Sequence, residues 1–409
     1  MDELHYSPIR HDHQAFLEKA KKREGFSDAL DAMTLDKQGK DKMPLTVLPL
    51  TTQGAPRIGQ LPSGALDAIN DVPGVSVGHC TLDAGAVQSG VSIVLPQPGN
   101  LFLKKIPAGL AVINGFGKSA GLMQVQELGT IESPIALTTT FATGIVSTAL
   151  IRDTLTQVPE LGRNLPTLNP LVFECNDGWL NDAQALAVQE AHVQQALQAA
   201  RAAPPGQPFA QGSVGAGRGM SCHGLKGGIG SASRQFDWQG HSWMLGALVL
   251  ANHGRPEALT LAGRRLGPAL QARLREREKA ENDAVERGSI IIILATDAPL
   301  DARQLRRVAS RAGAGLARCG SDYGHGSGDI ALAFSTAYRI PQSADEAMPA
   351  VALLHETALD RLFQAAAEAS EQAIVHALFC ASTLRGRDGR CRHALRDLAP
   401  DWQQLWSEA

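Results

Sequence analysis

The sequence predicts an α+β fold in which helices cover layered sheets, and two kinds of segment lead to this prediction. Short apolar runs, bounded by turn-forming residues, recur along the chain and are typical of buried strands. Amphipathic segments with apolar residues three and four positions apart occur as well and are typical of helices. Because strands that are apolar throughout are buried on both faces, their sheets need a covering of helices.

The predicted elements alternate along most of the chain. Eight runs are predicted to be strands: 75–77, 91–95, 110–113, 135–138, 172–174, 243–250, 290–294 and 330–334. Four segments are predicted to be helices: 148–156, 183–203, 300–312 and 368–378. In the third helix four apolar residues share one face and four arginines the other, which indicates a solvated basic face rather than a phosphate site.

Composition excludes several classes of protein. Hydrophobic residues make up 44% and charged residues 19% of the 409 positions, as in a globular chain. The net charge of −3 provides no basic surface for nucleic acid, and no apolar run approaches the roughly 20 residues of a membrane span. The beginning of the chain lacks the apolar core of a signal peptide, and six cysteines occur without a CxxC pair. We therefore expect a cytoplasmic protein with reduced thiols, no metal and no membrane or nucleic-acid partner.

Two regions differ in composition. Residues 1–56 are rich in charged and polar residues and are predicted to be an N-terminal extension. Residues 57–409 show no clear linker and are predicted to form a single domain.

Two motif-like segments do not fit the sites that they resemble. The glycine-rich segment 212–230 has Met220 at the sixth position of a dinucleotide-binding pattern, where glycine is needed, and no Gly-Lys-Ser/Thr follows. It is interpreted as a bend, with Lys226 and His223 as structural polar groups. His355-Glu356 lacks the second histidine of a zinc helix.

Position 289 is where the sequence points most directly to chemistry. Arg287-Gly288-Ser289 joins the charged segment 275–287 to the apolar run 290–294, so Ser289 lies at the entrance of a buried strand. Gly288 has no side chain to hinder attack on its carbonyl, and a hydroxyl held there can cleave the chain before Ser289. The new α-amine can then serve as base for the Ser289 hydroxyl, as in N-terminal-nucleophile catalysis. The alternative is a serine that only caps the strand.

Polar residues at other strand ends can complete such a site. Ser327 and Asp329 precede the run 330–334 and, two positions apart, are expected on one face, where they can hold and polarise an α-amine. Asn252 follows the run 243–250, and its amide suits the oxyanion of an acyl transfer.

A third polar group follows the strand 172–174. The segment 174–182 contains Glu174, Asn176 and Trp179. Each of these residues, like the others at strand ends, can also be explained as a turn cap. Their convergence on strand ends favours a common site.

The chain resembles the L-aminopeptidase/D-esterase family, which includes the β-peptidyl aminopeptidases. The segments that carry the likeness are NDGWLND, GAGRGMSCHGLKGGIG, ANHG, GSIIIILATDAPL, GSGDIALAFSTA and EQAIVHALFCASTLRGRDG. They occur in order between about Pro62 and Gly389. The resemblance implies a four-layer αββα sandwich of the N-terminal-nucleophile type, self-cleaved into 1–288 (alpha chain) and 289–409 (beta chain), that needs no cofactor.

The resemblance also implies a role for each candidate residue. By position, Gly288 and Ser289 flank the cut, Ser289 is the nucleophile, Ser327 and Asp329 position its amine, Asn252 binds the oxyanion, and Glu174 binds the substrate ammonium. Some relatives have Glu where this chain has Asp329. Asn176 and Trp179 occupy substrate-binding positions at which tyrosine is found in relatives, so this chain departs from the family pattern in its pocket.

The predicted function is removal of single N-terminal residues from short peptides, amides or esters, by a homo-oligomer that the family suggests is a tetramer. Three substrate series, L-, D- and β-aminoacyl, stay open. One alternative is a self-cleaving acyltransferase of the ornithine acetyltransferase type, although such enzymes use threonine as nucleophile. Another is an unprocessed scaffold without enzymatic activity.

Overall fold

Two β-sheets lie face to face and are covered by helices on their outer faces. The computed structural model describes residues 49–278 and 288–409. The strands in this part of the chain are β1 (Ser76–Ala84), β2 (Val87–Leu95), β3 (Lys104–Gly115), β4 (Thr130–Ile131), β5 (Ile135–Thr139), β6 (Leu171–Cys175), β7 (Ser221–Cys222), β8 (Leu225–Lys226), β9 (Gly228–Trp238), β10 (His241–Asn252), β11 (Ser289–Thr296), β12 (Gly328–Ser335), β13 (Ile340–Pro341), β14 (Leu384–Arg385) and β15 (Cys391–Arg392). The helices are α1 (Leu122–Leu128), α2 (Thr143–Gln157), α3 (Glu190–Ala202), α4 (Gly267–Glu278), α5 (Ala302–Arg318), α6 (Leu359–Phe379), α7 (Leu395–Leu398) and α8 (Trp402–Glu408).

The smaller sheet has the strand order β1-β2-β5-β6 and the larger one β13-β3-β12-β11-β10-β9, with β4 paired to β3. Helices α2 and α3 pack on the smaller sheet, and α5 and α6 on the larger sheet. An apolar core between the sheets joins their inner faces. The layers therefore follow the order αββα, which confirms the predicted fold class.

Strand β11 is central because it lies between β10 and β12 in the larger sheet. Ile290 and Ile292 pack towards α5 and α6, whereas Ile291 and Ile293 pack into the core between the sheets. Both faces are buried, so the run is apolar at every position, as the sequence predicts.

All eight predicted strands are present, but the sequence prediction misses the two-residue strands and, among the longer ones, β9. This strand has the sequence GIGSASRQFDW, whose small residues do not produce a strand pattern. The reason is tertiary: a Cβ on Gly230 would lie 1.9 Å from the carbonyl oxygen of Ala373 in α6, so the helix backbone packs directly on the strand.

The predicted helix 183–203 is wrong in its first third, residues 183–189. Residues 183–185 form a single 3₁₀ turn that ends at Leu186, whose φ of +46° cannot continue a right-handed helix. Helix α3 begins only at Glu190. The other three predicted helices are present as α2, α5 and α6.

Two predictions fall partly outside the described residues. Of the predicted extension 1–56, only residues 49–56 are described; there Ala55 is buried in the core, and the Pro56 carbonyl accepts a hydrogen bond from Gln372. Of the charged segment 275–287, residues 275–278 end α4 and the remainder lies outside. No helix in the described part of the chain is both long and apolar enough to cross a bilayer.

Candidate active site

Ser289 is the first residue of β11 and lies at the open end of the space between the sheets. Side chains alternate between the two faces of a strand, so Ser289 faces the same way as Ile291 and Ile293, which pack into the core between the sheets. The residue is 5% exposed, and its Oγ accepts a hydrogen bond of 3.1 Å from the backbone N–H of Gly328. The hydroxyl is thus held by the adjacent parallel strand β12.

Gly288 precedes β11 and has no room for a side chain. A Cβ there would lie 2.1 Å from the carbonyl oxygen of Asn252 and 2.8 Å from the Cα of His253. Glycine thus meets two requirements at this position. It places no side chain beside its own carbonyl, and it lets the backbone before Ser289 pass close to the end of β10.

Ser327 and Asp329 lie together beside Ser289 at the start of β12. Ser327 Oγ donates to Asp329 Oδ1 over 2.5 Å, and both side chains are completely buried. Asp329 is in register with Ile290, the residue after Ser289, and a register irregularity follows Asp329 in its pairing with β3. The pair therefore lies next to the backbone nitrogen that becomes the α-amine if the chain is cut before Ser289.

Asn252 ends β10 directly across from Ser289 in the antiparallel register. Its Oδ1 accepts from the Ser221 N–H at 2.8 Å, and its Nδ2 donates to the Asn176 carbonyl at 3.0 Å. These two bonds determine which end of the amide is nitrogen. One hydrogen of Nδ2 is used by Asn176, which leaves the second as a donor for an oxyanion near Ser289.

The loop that orients Asn252 is organised by Lys226. Its Nζ is fully buried and donates to the carbonyls of Gly217, Met220 and Gly227 at 2.8–3.0 Å. Burial lowers the pKa of Lys226 to about 7, and the nearby Arg218 contributes to that decrease. The glycine-rich segment is thus a folded loop around a lysine, which confirms the structural role predicted for Lys226.

Glu174 lies in β6 of the smaller sheet and is 3% exposed. Its Oε1 accepts from the Lys118 N–H at 2.7 Å, and its Oε2 accepts from the Thr140 hydroxyl. A Cβ on Gly117 would be 3.6 Å from Oε1, so the segment that follows β3 packs against this carboxylate. The structure brings Glu174 to the same end of the sandwich as Ser289.

The two remaining candidates occupy the loop after β6. Asn176 is exposed and reaches the site through its backbone, since its carbonyl anchors Asn252. The half-buried ring of Trp179 lies beneath the guanidinium groups of Arg392 and Arg390, which are 4.3 and 4.7 Å from the ring centroid. Asp177, between them, is buried and accepts from Ser89, Thr139 and Asn181.

Neighbouring thiol and imidazole groups are held in their neutral forms. Burial, followed by the charges of Glu174 and Asp329, raises the pKa of Cys175 well above its ordinary value, so this thiol is a poor nucleophile. Burial lowers the pKa of His223 to about 4 and that of His253 well below 6.5. Among the described residues, no histidine is within hydrogen-bond distance of Ser289 Oγ.

One group of described residues has the composition of a metal site. The side-chain donor atoms of Cys222, His223 and His253 are buried and lie within 4.8 Å of one another, and zinc accepts these ligand types. His223 Nδ1 also bonds the Arg255 carbonyl, and Cys222 Sγ is 3.8 Å from His253 Nδ1.

Sequence reasoning misses Lys118, Thr140 and Ser221, which orient Glu174 and Asn252. Lys118 and Ser221 act through backbone N–H groups, which every residue but proline has, so their types contain no signal. Thr140 follows the predicted strand 135–138, and its place at a strand end is the one cue to its role.

The fold and this group of residues are those of an N-terminal-nucleophile type of hydrolase, and comparison with known proteins places the chain in a family. Residues 67–392 match the model of peptidase family S58, so the chain belongs to this family of serine aminopeptidases. It is 36% identical to β-peptidyl aminopeptidase BapA of Sphingosinicella microcystinivorans over 86% of this chain and 92% of that protein.

Solved structures agree with this placement. The β-aminopeptidase of Burkholderia sp. superposes with a TM-score of 0.76 at 38% identity, over 85% of this chain and 97% of that one. The L-aminopeptidase D-Ala-esterase/amidase of Ochrobactrum anthropi, described as a variant of the Ntn hydrolase fold, superposes with a TM-score of 0.75 at 32% identity, over 86% and 98%. The PH0078 protein of Pyrococcus horikoshii superposes with a TM-score of 0.78 at 42% identity, over 86% and 97%.

Proposed function

We propose that the chain cuts itself between Gly288 and Ser289 and that the new N-terminal Ser289 removes single N-terminal residues from short peptides. The observation that carries this proposal is the register of three strand ends. Asn252 is opposite Ser289 on one side, and Asp329 pairs with Ile290 on the other. Within one strand spacing of Ser289, the Asn252 amide can therefore bind the oxyanion of an acyl donor. On the other side, the Ser327–Asp329 pair can bind the Ser289 amine.

Self-cleavage begins with attack of the Ser289 hydroxyl on the Gly288 carbonyl. The C–N bond between the two residues breaks as the C–O bond forms, and the serine nitrogen takes up the hydroxyl proton. Water then hydrolyses the ester, which leaves the Gly288 carboxylate and a Ser289 amine. Ser327 and Asp329 hold this amine, with Asp329 as acceptor of its protons.

Substrate hydrolysis reuses the same atoms. The α-amine, whose ordinary pKa is about 7.7–8.0, accepts the hydroxyl proton as Oγ attacks the substrate carbonyl. The second Nδ2–H of Asn252 donates to the oxyanion, which stabilises the transition state by about 3 kcal/mol in comparable sites. The leaving amine takes the proton from the Ser289 ammonium, and water hydrolyses the acyl-enzyme ester.

Glu174 limits the reaction to N-terminal residues. Hydrogen bonds from the Lys118 N–H and the Thr140 hydroxyl hold its buried carboxylate in place, and the carboxylate attracts a substrate ammonium. An internal peptide bond has no ammonium to offer, so exopeptidase activity follows. The likeness to β-peptidyl aminopeptidases supports β-aminoacyl residues among the substrates that this site accepts.

The test is fragment analysis of the purified protein. Wild-type protein is expected to give fragments 1–288 and 289–409, the second with the N-terminal sequence Ser-Ile-Ile-Ile-Ile. Ser289→Ala removes the attacking oxygen and is expected to leave one inactive chain of 43.3 kDa. Ser289→Cys keeps a nucleophile and is expected to be cut.

Wild-type protein that stays uncut yet hydrolyses aminoacyl amides would contradict the proposal, since an uncut chain has no α-amine at Ser289. Ser407→Ala is the matched control and is expected to be cut and active, because this half-buried residue of the C-terminal helix α8 bonds the Gln404 carbonyl within its own helix.

A further inference from the structure

The side of the site beyond Asn252 has a positive charge that the chemistry above does not use. Arg392 Nε donates to Ser221 Oγ at 3.2 Å, and the same Ser221 donates its N–H to Asn252 Oδ1. Arg392 and Arg390 also converge on the ring of Trp179. The Arg392 guanidinium is thus one residue away from the oxyanion amide, and the Arg390 guanidinium lies over the same tryptophan ring.

The strands place this charge opposite the ammonium-binding carboxylate. Gly117, which packs against Glu174, also packs against Gly328 at the start of β12. The next strand after β12 in the sheet is β11, which begins at Ser289, and the one after that is β10, which ends at Asn252. Ser221 lies beyond Asn252. The order along the edge is therefore carboxylate, nucleophile, oxyanion amide, guanidinium.

We propose that Arg392, assisted by Arg390, binds the C-terminal carboxylate of the leaving residue, so that free dipeptides are the preferred substrate class. This proposal rests on the proposed aminopeptidase function. A substrate whose ammonium is at Glu174 and whose carbonyl is at Ser289 extends its leaving group towards Asn252 and Ser221. In a dipeptide the carboxyl carbon is only about 4 Å from the scissile carbonyl carbon, and adjacent strands are about 4.8 Å apart.

The chemistry of the two arginines suits this ligand. A guanidinium can bind a carboxylate through two parallel N–H···O bonds, which a carboxamide cannot reproduce. The stack on Trp179 restrains the guanidinium planes, so less side-chain freedom is lost on binding. Both side chains come from the region of β15, which adjoins the loop 176–179 that also anchors Asn252.

The experiment compares three substrates that share one N-terminal residue, the one whose p-nitroanilide wild-type enzyme hydrolyses fastest. The other two are its dipeptide with leucine as free acid and as C-terminal amide. We expect kcat/KM for the acid to exceed that for the amide by about tenfold or more, the usual scale of a charge-assisted hydrogen bond. Arg392→Gln should reduce this acid-to-amide ratio to near one, Arg392→Lys should give an intermediate ratio, and Arg390→Gln a smaller decrease.

Arg264→Gln is the matched control. Arg264 also stacks on a tryptophan, Trp406, at 5.0 Å, but outside the site, so the ratio should equal that of wild type. An equal loss on acid and amide in Arg392→Gln would mean that the arginine acts only through Ser221, and would overturn the proposal. Equal wild-type rates on acid and amide, beside normal p-nitroanilide hydrolysis, would overturn the subsite alone. Absence of p-nitroanilide hydrolysis would overturn the aminopeptidase function and this subsite with it.

Discussion

At the scale of single residues, the site depends on side chains whose orientation is set before substrate arrives. Asn252 is the clearest case, because Ser221 and Asn176 bind both ends of its amide. A donor that is already aligned needs no reorganisation when charge develops on the substrate oxygen, and this is why such donors are effective. Glu174 is held in the same way by Lys118 and Thr140.

Asn252→Ala is expected to lower kcat by about 100- to 1000-fold with little change in KM, because the lost hydrogen bond forms mainly in the transition state. The measurement is steady-state kinetics on the fraction of protein that has been cut. Asn164→Ala, at an exposed position, is the control and should leave both constants unchanged. An effect of Asn252→Ala confined to KM would show that the amide binds substrate rather than the oxyanion.

At the scale of elements, the glycine-rich segment between α3 and β10 connects fold and chemistry. It contains the hairpin β7–β8, whose two-residue turn His223-Gly224 has positive φ at both positions, +49° and +72°. Lys226 closes the loop by donating to the carbonyls of Gly217, Met220 and Gly227. The loop in turn presents the Ser221 N–H to Asn252.

Lys226→Met keeps the length of the side chain but removes the ammonium donor from three buried carbonyls, of which those of Gly217 and Met220 still accept a backbone N–H. The free energy of unfolding should therefore fall by about 1–3 kcal/mol. The substitution should also lower kcat, because Ser221 is no longer held against Asn252. Urea unfolding of the uncut Ser289→Ala chain measures the first effect, and kinetics of the cut protein the second. Lys104→Met removes only an exposed ion pair to Glu346 and should cost less than about 1 kcal/mol. Equal losses in the two variants would refute the role given to Lys226.

At the scale of the whole molecule, the four layers bury titratable groups as well as apolar ones. Burial lowers the pKa of His79 and of His223 to about 4, and that of His253 well below 6.5. Burial has the opposite consequence for Asp177, Asp297 and Glu371, whose pKa values are raised. The stability of the sandwich should therefore depend on pH.

The buried histidines make the unfolded chain bind more protons than the folded chain between pH 6.5 and about 4. The free energy of unfolding should therefore decrease as the pH falls through this range, by on the order of 3 kcal/mol for His79 alone. The three acids with raised pKa values bind protons first in the folded chain and partly oppose this decrease. In a pH series of urea unfolding on the Ser289→Ala chain, His79→Gln should flatten the slope, whereas His241→Gln, at an exposed position, should not. Identical slopes in His79→Gln and the parent chain would show that folding does not lower the pKa of His79.

Most of the fold could be predicted from the sequence because each long strand of the two sheets but β9 has a local apolar pattern. β11 shows why: both of its faces pack against other layers, so every residue from Ile290 to Ala295 is apolar and the run is evident without any partner. Strand β9 escapes prediction because helix α6 packs directly on its backbone, and the small residues which that contact requires resemble a loop. The helix 183–203 is mispredicted because a single left-handed residue, Leu186, ends the first turn.

The sequence alone determines which residues are candidates for the chemistry: a serine after a glycine at the start of a buried strand, and polar residues at the ends of neighbouring strands. It also determines the resemblance to a family, which the comparisons confirm. Only the tertiary structure decides that Asn252 is opposite Ser289, that Lys226 organises the loop behind Asn252, and that two arginines near the end of the chain converge on Trp179. The physical reason is distance along the chain. A strand pattern lies in consecutive residues, whereas the contacts of Asn252 and of the arginines join segments from 31 to more than 200 positions apart. The bonds of Lys226 join residues one to nine positions apart, but they follow no periodic pattern that a sequence would show.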